Sequence, residues 1–214
     1  MEALIGKKLG MTRVFTENGN QLPVTVIEVS PNVVQQVKTV AKDGYSAVQL
    51  GYGQQKPQRV NRALTGHFSA AKKGLPRVAK EVRITAEEEA GHQVGDELTV
   101  GQIFQTGQKV DICGTTIGKG YAGVVKRHGM SGVQTVSHGT HEYFRHGGSI
   151  GCRKFPGRVF KNKRMAGQMG NVRVTQEGLE IVGIREEDNA ILIKGSIPGA
   201  KNSTVILRHS RKCG

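Results

Sequence analysis

The chain has 214 residues, with 31 Lys and Arg against 17 Asp and Glu and a formal net charge of +14 at pH 7. This length suits one domain with an extension or two small domains, and a hydrophobic content of 36% is enough for a core. So large a basic excess points to nucleic acid or an anionic membrane as the partner. No run approaches the roughly 18 apolar residues of a membrane span, and the mixed N-terminal stretch does not resemble a signal peptide, so we expect no membrane attachment.

The first fifty residues alternate between apolar and polar side chains and are rich in β-branched residues, which is typical of half-buried strands. Strands are predicted at 11–15, 22–29, 32–40 and 45–51. Residues 17–20 (Glu-Asn-Gly-Asn) predict a type I′ hairpin turn, because Asn-Gly tolerates the positive φ that this turn requires. Short strands joined by tight turns, without a crossover helix, indicate an antiparallel meander or Greek key.

Residues 56–73 are polar, partly helical in pattern, and carry cations but no acid. Two interpretations stay open for them: a solvated surface helix, or a secondary RNA contact through Arg59 and Arg62. The acids that follow, at 87–89 and at Asp96 and Glu97, are expected to face solvent or a basic protein neighbour. A capped helical turn is predicted at 85–89.

Further strands are predicted at 77–84, 94–100, 109–117, 172–175, 179–185, 190–196 and 205–207, with a hairpin turn at 187–189. Strands on both sides of 118–171 imply that this segment is inserted into one closed sheet, and closure also removes exposed strand edges. We therefore expect a mainly β chain with a few short helices. In it, 1–117 and 172–214 form a closed antiparallel or Greek-key barrel with a partly helical basic excursion at 56–75.

Residues 118–171 are the most basic and glycine-rich part of the chain. They hold ten Lys or Arg against the single acid Glu142, together with 12 of the glycines and four of the seven histidines. Their apolar residues follow no helical or strand period, so the segment is not expected to bury a core of its own. A stretch of this charge repels itself unless a polyanion neutralises it. We therefore predict a long, largely irregular arm that penetrates RNA.

The densest basic run of this arm is 153–164, in which Phe155 and Phe160 are interleaved with cations. Aromatic side chains there can stack on bases while Arg and Lys contact phosphates. Residues 165–171 (Met-Ala-Gly-Gln-Met-Gly-Asn) are small and flexible, as expected where backbone packs into a narrow RNA groove.

Two runs resemble nucleotide-binding motifs but lack residues or neighbouring elements that such sites require. Residues 118–123 match G-x-G-x-x-G, but a basic, glycine-broken stretch follows where a dinucleotide site needs an apolar helix and a second parallel strand. Residues 114–119 resemble a P-loop with one residue too few between the glycines, and Gly120 stands where a magnesium-binding hydroxyl belongs. We therefore expect no cofactor.

The three cysteines, an odd number without short spacing, favour a reducing compartment over a disulfide framework. A zinc site would need His138, His141, His146 and Cys152, whose spacing matches no known zinc pattern. An enzyme would use His138, His141, Glu142 and Cys152, but nothing in the sequence brings a nucleophile, a base and an orienting group together. We expect neither a metal site nor catalytic activity.

Seven runs match the pattern of a known family: 6–15 (GKKLGMTRVF), 23–27 (PVTVI), 118–127 (GKGYAGVVKR), 138–140 (HGT), 147–151 (GGSIG), 156–161 (PGRVFK) and 163–171 (KRMAGQMGN). On these runs the chain resembles the bacterial form of the universal large-subunit ribosomal protein L-three family. The resemblance extends over nearly the whole length, and its most specific run is 163–171.

The resemblance implies a six-stranded barrel of the kind shared by several translation proteins, seated on the outside of the large ribosomal subunit. The arm would run towards the peptidyl-transferase centre, and the chain would bind large-subunit (23S-type) rRNA near its 3′ end early in assembly. The implied location is cytoplasmic, beside the ribosomal proteins called L-fourteen and L-nineteen in bacteria. The tip of the arm, which would approach the catalytic RNA without taking part in the chemistry, comprises Gly151, Cys152, Arg153, Lys154, Phe155 and Pro156.

The candidate rRNA contacts combine cations of the basic runs with side chains that can stack on bases or hydrogen-bond to them. They are Lys7, Lys8, Arg13, Arg59, Arg62, Lys119, Lys126, Arg127, His128, His138, Arg145, Arg153, Lys154, Phe155, Arg158, Lys161, Lys163, Arg164, Gln168 and Asn171. The alternative function is a free-standing nucleic-acid-binding protein outside the ribosome.

One position at the tip departs from the family pattern. Some bacterial relatives have Gln, a methylation site, where this chain has Lys154. Because Lys has no side-chain amide, the resemblance does not carry that modification over. Arg153 and Lys154 are instead expected to strengthen the electrostatic anchoring of the tip.

Overall fold

The computed structural model describes residues 3–89, 91–134 and 138–212, so Cys213 and residues 135–137 of the predicted arm lie outside the described residues. The described strands are β1 (Ala3–Phe15), β2 (Gln21–Glu28), β3 (Asn32–Lys38), β4 (Ala47–Gln54), β5 (Pro76–Arg83), β6 (Glu97–Leu98), β7 (Lys109–Thr115), β8 (Gly120–Ala122), β9 (Gly167–Met169), β10 (Arg173–Arg185), β11 (Ala190–Lys194) and β12 (Thr204–His209). The helices are α1 (Val40–Asp43), α2 (Arg62–Phe68), α3 (Ala86–Glu89), α4 (Val100–Ile103) and α5 (Val124–His128). Short 3₁₀ turns cover Pro57–Arg59, Ser69–Ala71 and His141–Tyr143.

The chain divides into two compact units. The first unit comprises Met1–Thr115 and Arg173–Gly214, and the second unit comprises Thr116–Val172. The second unit therefore begins after β7 and ends before β10.

Six strands of the first unit form a closed ring in the order β1-β12-β7-β10-β11-β2, with antiparallel neighbours throughout. The strands predicted at 172–175 and 179–185 are one long strand, β10, with an irregularity between Gln176 and Leu179. The hairpin predicted around 187–189 is confirmed, because Arg185 of β10 pairs with Ala190 of β11. The prediction of a mainly β chain with a few short helices is confirmed.

The hairpin predicted near 17–20 is also confirmed, since β1 and β2 pair antiparallel from Phe15 and Gln21. Its turn type is not the one expected. Gly19 has a φ of 76°, but Asn18 is not among the residues with positive φ, and type I′ requires positive φ at both central positions. The connection is a five-residue loop, in which the backbone N–H of Thr16 donates to the carbonyl oxygen of Asn20 at 2.9 Å.

Not all strands of the first unit belong to this closed sheet, which was not expected. Strands β3, β4, β5 and β6 form a separate four-stranded sheet, in the order β5-β4-β3-β6. The strand expected at 94–100 shrinks to Glu97–Leu98, because Thr99 begins α4. The backbone N–H of Thr99 donates to Oε1 of Gln102 at 3.0 Å, which is half of a capping box and favours helix at this point.

Strand β1 contributes to both hydrophobic cores of the first unit. Leu4 packs in the ring core with residues such as Ile112 and Ile191, whereas Ile5 packs with Val34 of the four-stranded sheet. Neighbouring residues of a strand face opposite sides, so one apolar pair serves two cores. Both side chains are fully buried.

Asn32, at the start of β3, ties this sheet to β1. Its Oδ1 accepts from the backbone N–H of Ile5 at 3.0 Å, and its Nδ2 donates to the carbonyl oxygens of Ile5 and Ser30, both at 3.1 Å. Asn32 is itself fully buried. Its side chain therefore binds both backbone groups of Ile5 much as the backbone of a neighbouring strand would.

Within the residues that the structure describes, none of the helices has the length and apolar character needed to cross a membrane.

We expect Asn32→Ala to lower the free energy of unfolding by about 3 kcal/mol, because it leaves the buried N–H and C=O of Ile5 without this partner. Asn61→Ala is the matched control: Asn61 caps α2 on the exposed surface by accepting from the N–H of Leu64 at 2.8 Å, and its loss should cost about 1 kcal/mol. Urea unfolding of the full chain measures both. Equal losses would contradict the buried role of Asn32.

Candidate nucleic-acid interface

The second unit presents its cations to solvent. Its exposed Lys and Arg side chains are those of Lys119, Lys126, Arg127, Arg145, Arg153, Lys154, Arg158, Lys161, Lys163 and Arg164. None of these ten cations forms an ion pair with a carboxylate among the described residues. Every ion pair that the described residues form joins two residues of the first unit. The described surface of the unit is therefore positive and uncompensated.

Several cations of the first unit, unlike those of the second, are paired with carboxylates. Lys38 lies 2.8 Å from a carboxylate oxygen of Glu81, and the hydroxyl of Tyr45 donates to the same carboxylate at 2.8 Å. These hydrogen bonds from Lys38 and Tyr45 lower the pKa of Glu81.

Asp111 of β7 forms a second ion pair, in which its Oδ2 lies 3.4 Å from Nη2 of Arg208. Burial on its own raises the pKa of Asp111. The backbone N–H of Gly178 and the charge of Arg208 outweigh that effect, so the pKa lies below its ordinary value. Asp111 is therefore charged at neutral pH and keeps Arg208 occupied within the fold.

A two-stranded sheet forms the base of the second unit, where β8 pairs with β9 antiparallel. The N–H of Lys119 donates to the carbonyl oxygen of Met169 at 2.9 Å and continues this pairing. Gly170 follows with a φ of 70°, and a Cβ there would collide with the carbonyl oxygen of Ile117. This position requires glycine both for its backbone angle and for the space.

Helix α5 is attached to the segment before β9 by two side chains. Arg127 donates through Nη1 to the carbonyl oxygen of Met165 at 2.8 Å, and Nε2 of His128 lies 2.9 Å from the same oxygen. Val124 at the start of the helix is buried. The expectation that the segment 118–171 buries no core is thus too strong, although its regular elements are few and short.

An open, mainly apolar cavity of about 700 Å³ lies in the second unit. Val124, Val133, Tyr143 and Ala166 contribute apolar surface, and Arg145 and His146 contribute polar groups. The rings of Tyr143 and His146 meet edge to face, with centroids 5.2 Å apart. A cavity of this composition suits a flat, partly polar group such as a nucleobase.

Three further aromatic side chains of the second unit are exposed to solvent. Tyr121 is 79% exposed, Phe155 88% and Phe160 59%. The guanidinium carbon of Arg158 lies 5.7 Å from the ring centroid of Phe160. Exposed rings beside cations can stack on bases while their neighbours contact phosphates.

The predicted tip carries no carboxylate. Of its residues only Pro156 is partly buried, and the other five, from Gly151 to Phe155, are exposed. Cys152 is a free, exposed thiol. The tip is thus a small surface on which Arg153 and Lys154 stand beside the exposed ring of Phe155.

The predicted contacts of the first unit differ in how free they are. Nζ of Lys8 donates to the carbonyl oxygens of Ile197 and Gly199, each at 2.9 Å, so this ammonium supports a loop of its own unit. Lys7 lies 3.5 Å from Glu28. Arg13 is exposed at the outer part of β1. The sequence does not show that Lys8 is bound within its own unit while Arg13 is exposed, because the carbonyl groups that accept from Lys8 lie about 190 residues away along the chain.

Arg59 and Arg62 are exposed, in a 3₁₀ turn and at the start of α2, so the partly helical pattern of 56–73 is confirmed. The remaining predicted contacts, His138, Gln168 and Asn171, are exposed residues of the second unit, and His128 is partly buried. Across the described residues no group of three or more His, Cys, Asp or Glu side chains could hold a metal ion.

Comparison with known proteins agrees with these features of fold and surface. A family model described as Ribosomal protein L3 matches residues 74–191. The chain is 50% identical over 212 residues to the large ribosomal subunit protein uL3 of Herpetosiphon aurantiacus, covering 99% of this chain and 98% of that protein. It is 49% identical to the proteins of the same name from Syntrophus aciditrophicus, covering 98% and 94%, and from Neisseria meningitidis serogroup C, covering 99% and 98%.

A mainly β fold with an exposed basic surface whose charge no carboxylate neutralises is typical of nucleic-acid-binding proteins. Within that class the chain belongs to the ribosomal protein L3 family. This family is a structural component of the ribosome and not a family of enzymes, so the catalytic interpretation of His138, His141, Glu142 and Cys152 is excluded.

We expect Gly170→Ala to loosen the base of the second unit without unfolding the first, because an L-residue at this positive φ costs about 1–2 kcal/mol even before the collision with Ile117. The exchange of the Lys119 amide hydrogen should become at least fivefold faster. Gly118→Ala is the matched control, since its φ is not positive and its Cβ would make an ordinary contact at 3.5 Å. An unchanged exchange rate in Gly170→Ala would contradict the role of Gly170.

Proposed function

We propose that this chain is a structural constituent of the large ribosomal subunit and lies with that subunit in the cytoplasm. The name that its relatives share, large ribosomal subunit protein uL3, supports this assignment. The observation that carries it is the set of ten exposed cations in the second unit, none of which is paired with a carboxylate in the described residues.

The chain binds large-subunit (23S-type) rRNA near its 3′ end and promotes early subunit assembly. Lys and Arg of the second unit contact phosphates, and this releases counterions and supplies most of the affinity. Exposed glycines allow the backbone to approach phosphates closely. Phe155, Tyr121 and the cavity beside Tyr143 accept unstacked bases, which is the way proteins read single-stranded and looped RNA.

The ring of six strands is a barrel of the kind shared by several translation proteins, and 118–171 is its inserted arm. The barrel is seated on the outside of the subunit, and the tip at 151–156 reaches towards the peptidyl-transferase centre. There the protein braces RNA, and the RNA carries out the chemistry. This proposal rests on the resemblance of the runs 147–151, 156–161 and 163–171 to the L-three pattern.

The protein neighbours are the ribosomal proteins called L-fourteen and L-nineteen in bacteria, as the same resemblance implies. The first unit offers the surfaces for them, because several of its cations are paired with its own carboxylates.

The test of this function is fractionation of a cell lysate on sucrose gradients at low and high salt, followed by immunodetection of the chain. Co-migration with large subunits that survives a moderate salt wash is expected, since much of the basic surface would be buried in RNA. Recovery at the top of both gradients would refute the ribosomal assignment and favour a free-standing nucleic-acid-binding protein.

We expect the double change Arg153→Gln and Lys154→Asn to weaken binding to large-subunit rRNA and to delay subunit assembly at low magnesium. Removing two phosphate contacts should reduce the slope of log affinity against log salt by about 1.4, at about 0.7 per contact. Lys42→Gln with Lys201→Gln is the matched control, because it removes the same charge from exposed positions of the first unit. Equal effects of both pairs would show that total charge, and not the tip, determines binding.

A further inference from the structure

Two adjoining cavities of the second unit share one wall. The first, which we call the Tyr143 cavity, is the mainly apolar cavity of about 700 Å³ described above. The second, which we call the Arg164 cavity, is more polar and has a volume of about 460 Å³. Both volumes lie within the range of about 300–1,000 Å³ that is usual for small-ligand sites. The residues that line both cavities are Val133, His146, Gly147 and Gly148.

Two segments of the chain run from one cavity to the other. Helix α5 contributes Val124 to the Tyr143 cavity and His128 to the Arg164 cavity. The other segment contributes Ala166 to the first cavity and Arg164 to the second. Nε2 of His128 lies 2.9 Å from the carbonyl oxygen of Met165, so a hydrogen bond joins the two segments. The same pair of connected segments therefore forms walls of both cavities.

Main-chain contacts hold the shared wall together. The N–H of Val133 donates to the carbonyl oxygen of Phe144 at 3.2 Å, and the N–H of His146 donates to that of Tyr143 at 3.0 Å. Gly132 has a φ of 75°, and a Cβ there would collide with the carbonyl oxygen of Phe144. Position 132 therefore requires glycine, and this close approach keeps Val133 beside the segment that follows Phe144.

The two cavities suit different chemical groups. In the Tyr143 cavity, the aromatic ring and the side chains of Val124 and Val133 offer apolar surface to a flat base. In the Arg164 cavity, the guanidinium, the hydroxyl of Ser131 and the backbone of several glycines can surround an oxyanion. Among the described residues that line either cavity there is no Asp or Glu, so no carboxylate of these walls would repel a phosphate.

We propose that the two cavities together bind one unpaired nucleotide of the large-subunit rRNA, with its base in the Tyr143 cavity and its phosphate in the Arg164 cavity. The inference rests on the proposed function and deepens it by assigning a single nucleotide to a defined place. Val124 and His128 are separated by about 6 Å along α5, at about 1.5 Å per residue. This separation is comparable with the span of one ribose between its base and its phosphate.

The charges of the cavities favour RNA over a protein occupant. An apolar side chain of a neighbouring protein would fill only the Tyr143 cavity, and it would leave the exposed cations Arg145 and Arg164 without a counter-charge. A nucleotide supplies both the ring and the negative charge. Because a base enters such a cavity only when it is unstacked, the site selects looped or bulged RNA over a continuous helix.

The test titrates the isotopically labelled full chain with each of the four ribonucleoside 5′-monophosphates and follows the backbone amides of Val124 and Gly132 by NMR. At least one nucleotide should shift both amides saturably, with a single affinity. The corresponding nucleoside should shift only Val124 and inorganic phosphate only Gly132. Each should bind at least tenfold more weakly, because the nucleotide links the two groups. Equal affinities for nucleotide and phosphate, or no nucleotide that shifts both amides, would overturn the proposal.

Two variants remove one half of the site each. Tyr143→Ala removes the ring beside the base and Arg164→Gln removes the cation beside the phosphate, and each should weaken nucleotide binding about tenfold. Both side chains are exposed, so we expect the fold to be retained, which the amide signal of Lys119 in the pairing of β8 with β9 reports. Unaltered nucleotide affinity in either folded variant would refute the site.

Phe15→Ala and Arg77→Gln are the matched controls. They remove an exposed ring and an exposed cation from the first unit, at positions that line neither cavity. Their nucleotide affinities should change less than twofold. A tenfold loss in the controls would show that the nucleotide binds by overall charge and not in these cavities.

In assembled large subunits, p-azidophenylalanine at position 143 keeps an aromatic ring in the cavity and identifies its occupant by photo-crosslinking. A crosslink to an rRNA nucleotide supports the proposal, and a crosslink to a protein, or none to RNA, overturns it. The unmodified chain is fractionated in parallel. Its recovery at the top of the gradient would refute the ribosomal function itself, whereas its co-migration with large subunits, together with a protein crosslink, would refute only this site.

Discussion

The constraint on which the rest of this protein depends is the uncompensated positive charge of its second unit. Ten cations stand against Glu142 alone, and in the described residues none of them is paired with a carboxylate. Such a surface is stable only beside a polyanion or in well-screened solvent. Its architecture follows from this: short elements, exposed aromatic rings, and few internal bonds such as those of Arg127 and His128 to Met165. The same distribution of charge therefore favours RNA binding and limits the packing of side chains within the second unit.

The first unit differs, because several of its cations have partners within the fold. Lys38 with Glu81, Arg208 with Asp111, and Lys8 with two backbone carbonyls are all occupied within the fold. Burial of Leu4 and Ile5 on opposite faces of β1 connects the ring core to the core of the four-stranded sheet. The first unit is therefore held together by two connected hydrophobic cores. One chain thus combines a unit with two buried cores and a second unit whose cations are exposed and whose buried apolar residues are few among those described.

In the polar cavity around Gln35, a β-bulge and Gly51 together hold the buried side chain of Gln35 in place. Neither feature can be read from the local pattern. The run 32–38 looks like an ordinary strand, and the carboxylates of Glu28 and Glu97 are distant in sequence from Gln35. Only the pairing of β3 with β4 and β6 brings them to one cavity. The composition of this cavity is therefore a product of tertiary structure.

The sequence by itself determined what depends on local chemistry. Alternation placed most strands, charge and glycine content singled out 118–171, and the family runs supplied the relationship that the comparisons confirm. The capping residues Thr99 and Gln102, which shorten the strand at 94–100, are a local signal that strand alternation masked. The separate four-stranded sheet and the occupation of Lys8 by Ile197 and Gly199 have no local signal. Those outcomes were decided by tertiary structure alone. A strand's pattern specifies which face is buried but not which strand becomes its neighbour, and a cation's partner is chosen by distances that exist only after folding.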